Sequence, residues 1–188
     1  MKKDNRGFTL SELLVCVVIF GVVLASIFGF MLASSNSYNK INDRLDVQLQ
    51  AQLAANQASE FIIDCNTGIA QDATTLYIIY ETAPGKFSIS AFKYIQESGK
   101  ILYGKVENAV MKNGVIEFSI TPSSLLSDHV TAFSATVNSP EEGGGINTLT
   151  LQIGLEKRSA KYTVYKTVAM RNKPSLFTIE AGGAASPQ

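Results

Sequence analysis

Residues 7–33 read Gly-Phe-Thr-Leu-Ser-Glu-Leu-Leu-Val-Cys-Val-Val-Ile-Phe-Gly-Val-Val-Leu-Ala-Ser-Ile-Phe-Gly-Phe-Met-Leu-Ala. From Leu13 to Ala33 this is 21 residues without a charge, and about 20 apolar residues cross a bilayer as a helix. Lys2, Lys3 and Arg6 precede the run, whereas Lys40 and Arg44 beyond it are offset by Asp43 and Asp46. That asymmetry places the N-terminus in the cytoplasm and the rest of the chain outside, as a single-pass protein. A secretory signal would have a shorter apolar core followed by a small-x-small cleavage site; here the run passes into Ser34-Ser35-Asn36-Ser37 instead, so the apolar piece is expected to stay on the mature chain. A carboxylate, Glu12, stands at the head of the run. An unpaired charge in lipid is expensive, and one that persists there marks a function. The plainer account is that a carboxylate in a first helical turn gains from the helix macrodipole.

The order is a short basic leader ending in Gly7, then Phe8-Thr9-Leu10, Glu12 as the fifth residue after Gly7, and an unbroken apolar helix. Over roughly residues 1–33 this resembles the class III leader of type IV pilins and pseudopilins. The resemblance implies that a prepilin peptidase on the cytoplasmic side cuts after Gly7. The same enzyme would methylate the new amine of Phe8, and the subunit would then leave the membrane for a filament. Phe8 and Glu12 stand at i and i+4 on one helical face, and in a filament core Glu12 of one subunit would neutralise the Phe8 amine of its neighbour and set the axial register. Breaking a buried pair of that kind costs about 3–5 kcal/mol. Gly21 and Gly29 interrupt the apolar run. Many pilins carry proline where Gly29 falls, which implies local helix unwinding there on assembly; glycine weakens a helix by about 1 kcal/mol without forbidding it.

The chain of 188 residues suits one domain plus an anchor, with 16 basic against 16 acidic residues. Loss of the leader removes Lys2, Lys3, Asp4 and Arg6 and leaves the mature chain at −2. That balance argues against nucleic acid as a partner, which calls for clustered positive charge. The two cysteines are Cys16 and Cys65. On one helix they would stand roughly 70 Å apart, too far for a disulfide. Cys16 reads as a packing residue, and Cys65 either as one or as a free or cross-linked thiol outside the membrane. No Cys/His cluster suggests a metal, and no cofactor is expected.

Residues 34–66 read as an amphipathic continuation of the helix. Tyr38, Ile41, Leu45, Leu49 and Leu53 follow three- and four-residue spacing, and Ala58, Phe61 and Ile62 resume it. This stripe is expected to pack on the chain's own sheet, with Asn66-Thr67-Gly68 as the stop. From residue 67 to 172 strand patterns follow one another without a helix: Leu76–Tyr80, Phe87–Ala91, Ile101–Tyr103, Ile116–Ile120, Val130–Val137, Thr148–Glu156 and Tyr162–Met170. Glu97–Lys100, Asn113-Gly114 and Arg158-Ser159-Ala160 supply turns, and Pro140–Gly145 is a flexible loop. Strand after strand argues for an antiparallel sheet. The fold class is therefore α+β, a long N-terminal helix packed on a C-terminal antiparallel β-sheet, with a flexible tail over 173–188. The domains are a leader at 1–7, a transmembrane and filament-core helix at 8–33, the amphipathic helix at 34–66, the sheet at 67–172, and the tail. The last hairpin, Asn147 to Asn172, is similar to that of minor pilins and pseudopilins of the W and J types. Together with the absence of a late cysteine pair, it favours a minor, priming or tip subunit.

Catalytic patterns are lacking. His129, the only histidine, follows Asp128 near a loop, but no Gly-x-Ser-x-Gly elbow accompanies it. No Walker A sequence occurs, and Gly143-Gly144-Gly145 precedes a strand rather than a helix. The expectation is a non-enzymatic subunit of a type IV pilus, a secretion pseudopilus or a competence filament. Its partners would be prepilin peptidase, other pilin subunits, and an inner-membrane assembly platform protein with a separate ATPase. Two rivals are a permanently anchored extracytoplasmic binding or sensor domain, and a membrane-tethered hydrolase using His129. A basic cluster, Lys157, Arg158, Lys161, Lys166, Arg171 and Lys173, reads as a solvated hairpin rather than a phosphate-binding stripe, because Lys166 has the opposite strand parity to Lys161 and Arg171.

Overall fold

The uncharged run opens a helix, α1 (Leu10–Ile63), that continues without a break through the polar residues that follow it. The computed structural model describes residues 9–138, 148–180 and 184–187; the leader, Phe8 and the Pro140–Gly145 loop lie outside them. The chain divides into two compact units, Met1–Asn42 and Asp43–Gln188, and α1 contributes to both. In the first unit every residue from Thr9 to Asn42 is exposed. The second unit holds the rest of α1 and all the strands.

After the helix come β1 (Gly68–Gln71), β2 (Thr75–Ala83), β3 (Lys86–Ile95), β4 (Lys100–Lys112), β5 (Val115–Glu117) and β6 (Ser124–Ser127). Then follow β7 (Val130–Asn138), β8 (Thr148–Lys157), β9 (Ala160–Ala169), β10 (Ser175–Glu180) and β11 (Ala184–Pro187). Turn chemistry fixes the hairpins. Asn113 and Gly114 both hold positive φ, 52° and 82°, between β4 and β5, the two left-handed positions of a type I′ turn.

The antiparallel sheet expected from the strand pattern is in fact two sheets. One runs β3-β2-β1-β10-β11-β5-β4 and closes through β3–β4 pairing, so that seven strands form a barrel-like ring, with β6 added to β4. The other is a three-stranded antiparallel meander, β7-β8-β9. One pair departs from antiparallel order: β1 and β10 run parallel, with Gly68, Ile69 and Ala70 opposite Ser175, Leu176 and Phe177. The segment 173–188, expected as a flexible tail, thus supplies β10 and β11. Leu176, Phe177 and Ile179 form a short apolar stretch that Pro174 and the surrounding Gly, Ala and Ser residues obscure in the sequence. Phe177 enters the ring interior beside Ile79, Ile89, Ile116 and Phe118. It lies across Gly68, where a Cβ would stand 2.1 Å from its ring, so glycine is required there for the close approach.

Between Val47 and Ala55 the helix meets the sheets through the opposite face from the one expected, whereas Ala58, Phe61 and Ile62 pack inward as expected. Val47, Ala51, Ala54, Ala55, Ala58, Ser59 and Ile62 are its buried residues, packed against Ile101, Val130, Ile153 and Leu155 and, further along, against Ile78, Phe92, Leu149 and Leu151. Leu45, Leu49 and Leu53 of the expected stripe are 50%, 57% and 65% exposed. Alanines win the inner face because a helix without bulk there approaches a sheet closely, and the sheets supply the large side chains. Phe61, Phe92 and Tyr103 form an aromatic cluster, with ring centroids 5.3–5.8 Å apart. The helix ends at Ile63, three residues before Asn66. Asn66 instead clamps β2, its Nδ2 donating to the Glu81 carbonyl (3.1 Å) and its Oδ1 accepting from the Glu81 amide (2.8 Å).

Candidate assembly site at the head of the helix

Thr9 precedes the first helical residue and caps it. Its hydroxyl accepts from the Glu12 amide at 3.4 Å, while Glu12 Oε2 accepts from the Thr9 amide at 3.0 Å and from the Thr9 hydroxyl at 2.8 Å. This reciprocal exchange is a capping box, which satisfies two backbone donors that a helix start leaves without partners. Sequence reasoning singled out Glu12 but missed Thr9, although Thr-x-x-Glu ahead of an apolar run is the signature of this cap. The carboxylate is thus held in place locally, on the positive end of the helix dipole.

Beyond it the helix surface is apolar all round. Leu13, Leu14, Val17, Phe20, Phe28 and Phe30 are each at least 60% exposed, and α1 is long and apolar enough to cross a membrane. Ser26 is the exception among these side chains, and its hydroxyl donates to the Val22 carbonyl one turn back at 2.9 Å. That back-bond removes the need for water. Gly21 and Gly29 both lie within continuous helix, with open space where a Cβ would project. Gly7 and Phe8 are outside the described residues.

Residues 2–28 match a family model, the prokaryotic N-terminal methylation motif. The match supports the type IV pilin and pseudopilin family. No curated protein and no solved structure matches the chain. The motif suggests processing by prepilin peptidase and assembly with other pilins, and the apolar helix fits a membrane-anchored pilin-like precursor. The family is one of structural subunits.

The remaining sequence candidates fall elsewhere, in the second unit. Four cations of the basic cluster are engaged within the chain. Lys157 is bonded to Asp46, and Arg158 Nη1 reaches Asp43 Oδ2 at 3.0 Å, so the β8–β9 turn is tied to the helix. Lys161 pairs with Glu156 at 2.9 Å, and Lys166 donates to Asn56 Oδ1 at 2.6 Å. Arg158 takes positive φ, 54°, to make its contact. The hydrogen bond from Lys157, aided by one from Gln50 at 3.1 Å, holds the Asp46 carboxyl below its ordinary value of 3.8 against the opposing effect of desolvation. A depressed carboxyl pKa stabilises the fold above the unfolded value and loses that contribution as pH falls through the folded one. Asp46→Asn is therefore expected to lower the thermal midpoint at neutral pH by about 1–3 °C. Melting curves of the two proteins should draw together as the pH falls below 3.8, and also in high salt.

His129 Nδ1 lies 2.8 Å from Asp128 Oδ1. Among the described residues no serine or cysteine side chain bonds to the ring, so the structure does not bring together the constellation that the hydrolase reading needs. Cys65 is fully buried, and its thiol donates to the carbonyls of Gly68 (3.3 Å) and Ile79 (3.4 Å). Burial pushes that thiol up to about 11. Since the thiolate is the reactive form, Cys65 should alkylate about two orders of magnitude more slowly at pH 8 in the folded chain than in urea, as read by peptide mass spectrometry.

Proposed function

We propose that this chain is a structural subunit, minor or priming in role, of a type IV pilus, pseudopilus or competence filament. It is inserted with its N-terminus in the cytoplasm, cut after Gly7, methylated on Phe8, and drawn into the filament by its N-terminal helix. The observation that carries the reading is the methylation motif at 2–28, which leads into a helix whose residues from Leu10 to Asn42 are all exposed within the chain. Lateral packing of such helices covers this surface once the subunit leaves lipid. Leu45, Leu49 and Leu53 extend the same requirement beyond the bilayer, because they start 12 residues past Ala33, about 18 Å along a helix. Glu12 supplies the partner for the Phe8 amine of the neighbouring subunit. Extrusion is powered by a separate ATPase acting through a membrane platform protein.

One observation favours a second reading, a permanently anchored extracytoplasmic domain: the capping box accounts for Glu12 with no neighbour at all. Mass spectrometry of the mature N-terminus separates the two. Methylated Phe8 as the first residue is expected; an intact Met1, or a cut elsewhere, would favour the anchor. Abundance in purified filaments relative to the main subunit then distinguishes a minor from a major role.

A further inference from the structure

The β7-β8-β9 meander buries one face against α1 and the ring, and its other face has an unusual composition. Three successive cross-strand rows on the outer face are Asn138–Thr148–Ala169, Thr136–Thr150–Thr167 and Ser134–Gln152–Tyr165. Every member but Ala169 carries a hydroxyl or a carboxamide, and none carries a charge, although charged residues make up 17% of the chain. Among the described residues of these three strands, charge returns on this face at the far end, with the Glu156–Lys161 pair.

The groups on this face orient one another. Asn138 Nδ2 donates to Thr150 Oγ1 at 3.3 Å, the Thr150 and Thr167 hydroxyls stand 3.0 Å apart, and Ser134 Oγ donates to Gln152 Oε1 at 3.4 Å. Threonine adds stiffness, because its branched Cβ restricts χ1. The next row has Gly154 at its centre, with Ala132 Cβ and the Thr131 and Thr163 hydroxyls 3.3–3.4 Å from where its Cβ would be, so nothing projects between them. The result is a flat array of fixed polar groups, repeating at about 4.8 Å across strands and about 6.8 Å along them. Tyr165, on the edge strand, is 67% exposed and presents an aromatic ring at the border of the array.

The chemistry of a matching ligand is restricted. An apolar partner would strip water from the donors and acceptors that these mutual bonds leave over and offer nothing in its place. An ionic partner finds no opposite charge. A neutral polymer dense in hydroxyls offers partners to those remaining donors and acceptors, and the C–H face of its rings can stack on Tyr165. We propose that the outer face of β7-β8-β9 is a binding surface for neutral polysaccharide.

The test uses the full chain in a zwitterionic detergent without a sugar headgroup, since a glycosidic detergent would compete. The protein is sedimented with insoluble cellulose, chitin, mannan and cross-linked dextran, and with insoluble calcium alginate as the anionic comparison. Retention on at least one neutral polymer, exceeding that on alginate, is expected. Tyr165→Ala should weaken retention about tenfold, the loss of one stacked ring, and Thr150→Lys should do at least as much, with unchanged melting curves showing both variants folded. No retention on any neutral polymer, equal retention of the variants, or stronger retention on alginate would overturn the proposal. So would a loss of self-association by the same variants with glycan retention intact, which would assign the face to contact between protein sheets. None of these outcomes depends on how the N-terminus is processed.

Discussion

Glu12→Gln is expected to leave the start of α1 folded and yet to reduce the chain's entry into filaments by two orders of magnitude or more. The two roles open to this carboxylate divide at that substitution. As the last residue of a capping box, Glu12 accepts from the Thr9 amide, and glutamine serves in the same position because its carbonyl oxygen accepts equally well. As the partner of a neighbour's Phe8 amine, it must carry charge. An amine buried among apolar helices and left unneutralised costs about 3–5 kcal/mol, and each 1.4 kcal/mol is about tenfold in an equilibrium. The measurement is the ratio of variant to wild-type chain in purified filaments, corrected for the membrane pool. Full incorporation of the glutamine variant would reduce Glu12 to a cap and remove the assembly role. Thr9→Ala is the complementary change, since it loses the cap but keeps the charge, at about 1 kcal/mol of helix stability.

A matched pair two positions apart tests the face of α1 that the second unit uses. Ala51→Asp places a carboxylate at a position with no exposure, among Val47, Ile153 and Leu155. With no cation beside it, the charge should cost about 3–5 kcal/mol and abolish cooperative melting of the second unit. Leu49→Asp makes the same chemical change on a side chain that is 57% exposed. Its thermal midpoint should stay within about 2 °C of wild type, while its incorporation into filaments falls. Circular dichroism melts of both proteins decide the first point. If Leu49→Asp melted like Ala51→Asp, the inner and outer faces would have been assigned the wrong way round.

That pair also shows where the sequence was legible. The apolar run of α1, its acid Glu12 and the strands β2 to β5 and β7 to β9 could be read from period, charge and turn residues, because each signal is local; β6, a short strand of serines and leucines, could not. Asn113-Gly114 marks its turn whatever surrounds it. The inner face of the helix was legible at Ala58, Phe61 and Ile62 but not at Val47 to Ala55, because hydropathy ranks leucine above alanine. The packing selects small residues where a helix lies against sheets that already carry Ile101, Ile153 and Leu155. The ring was not legible either. Its closure depends on β1 meeting β10 across more than a hundred residues, and no local pattern encodes such a pairing. Nor did the basic cluster disclose its partners, since Asp43 and Asp46 lie far away in the chain from Lys157 and Arg158. The head of α1 was legible as a motif. Its geometry added Thr9, which turns an isolated carboxylate into half of a reciprocal pair.

The ring owes its closure to the last two strands in chain order, β10 seated on β1 and β11 on β5. While the chain is still being synthesised, those strands have yet to emerge, and β1 and β5 each offer a bare row of amides and carbonyls to any neighbour. Completion of the domain therefore waits on its final strands, and a crowd of half-finished copies is where mispairing is most acute.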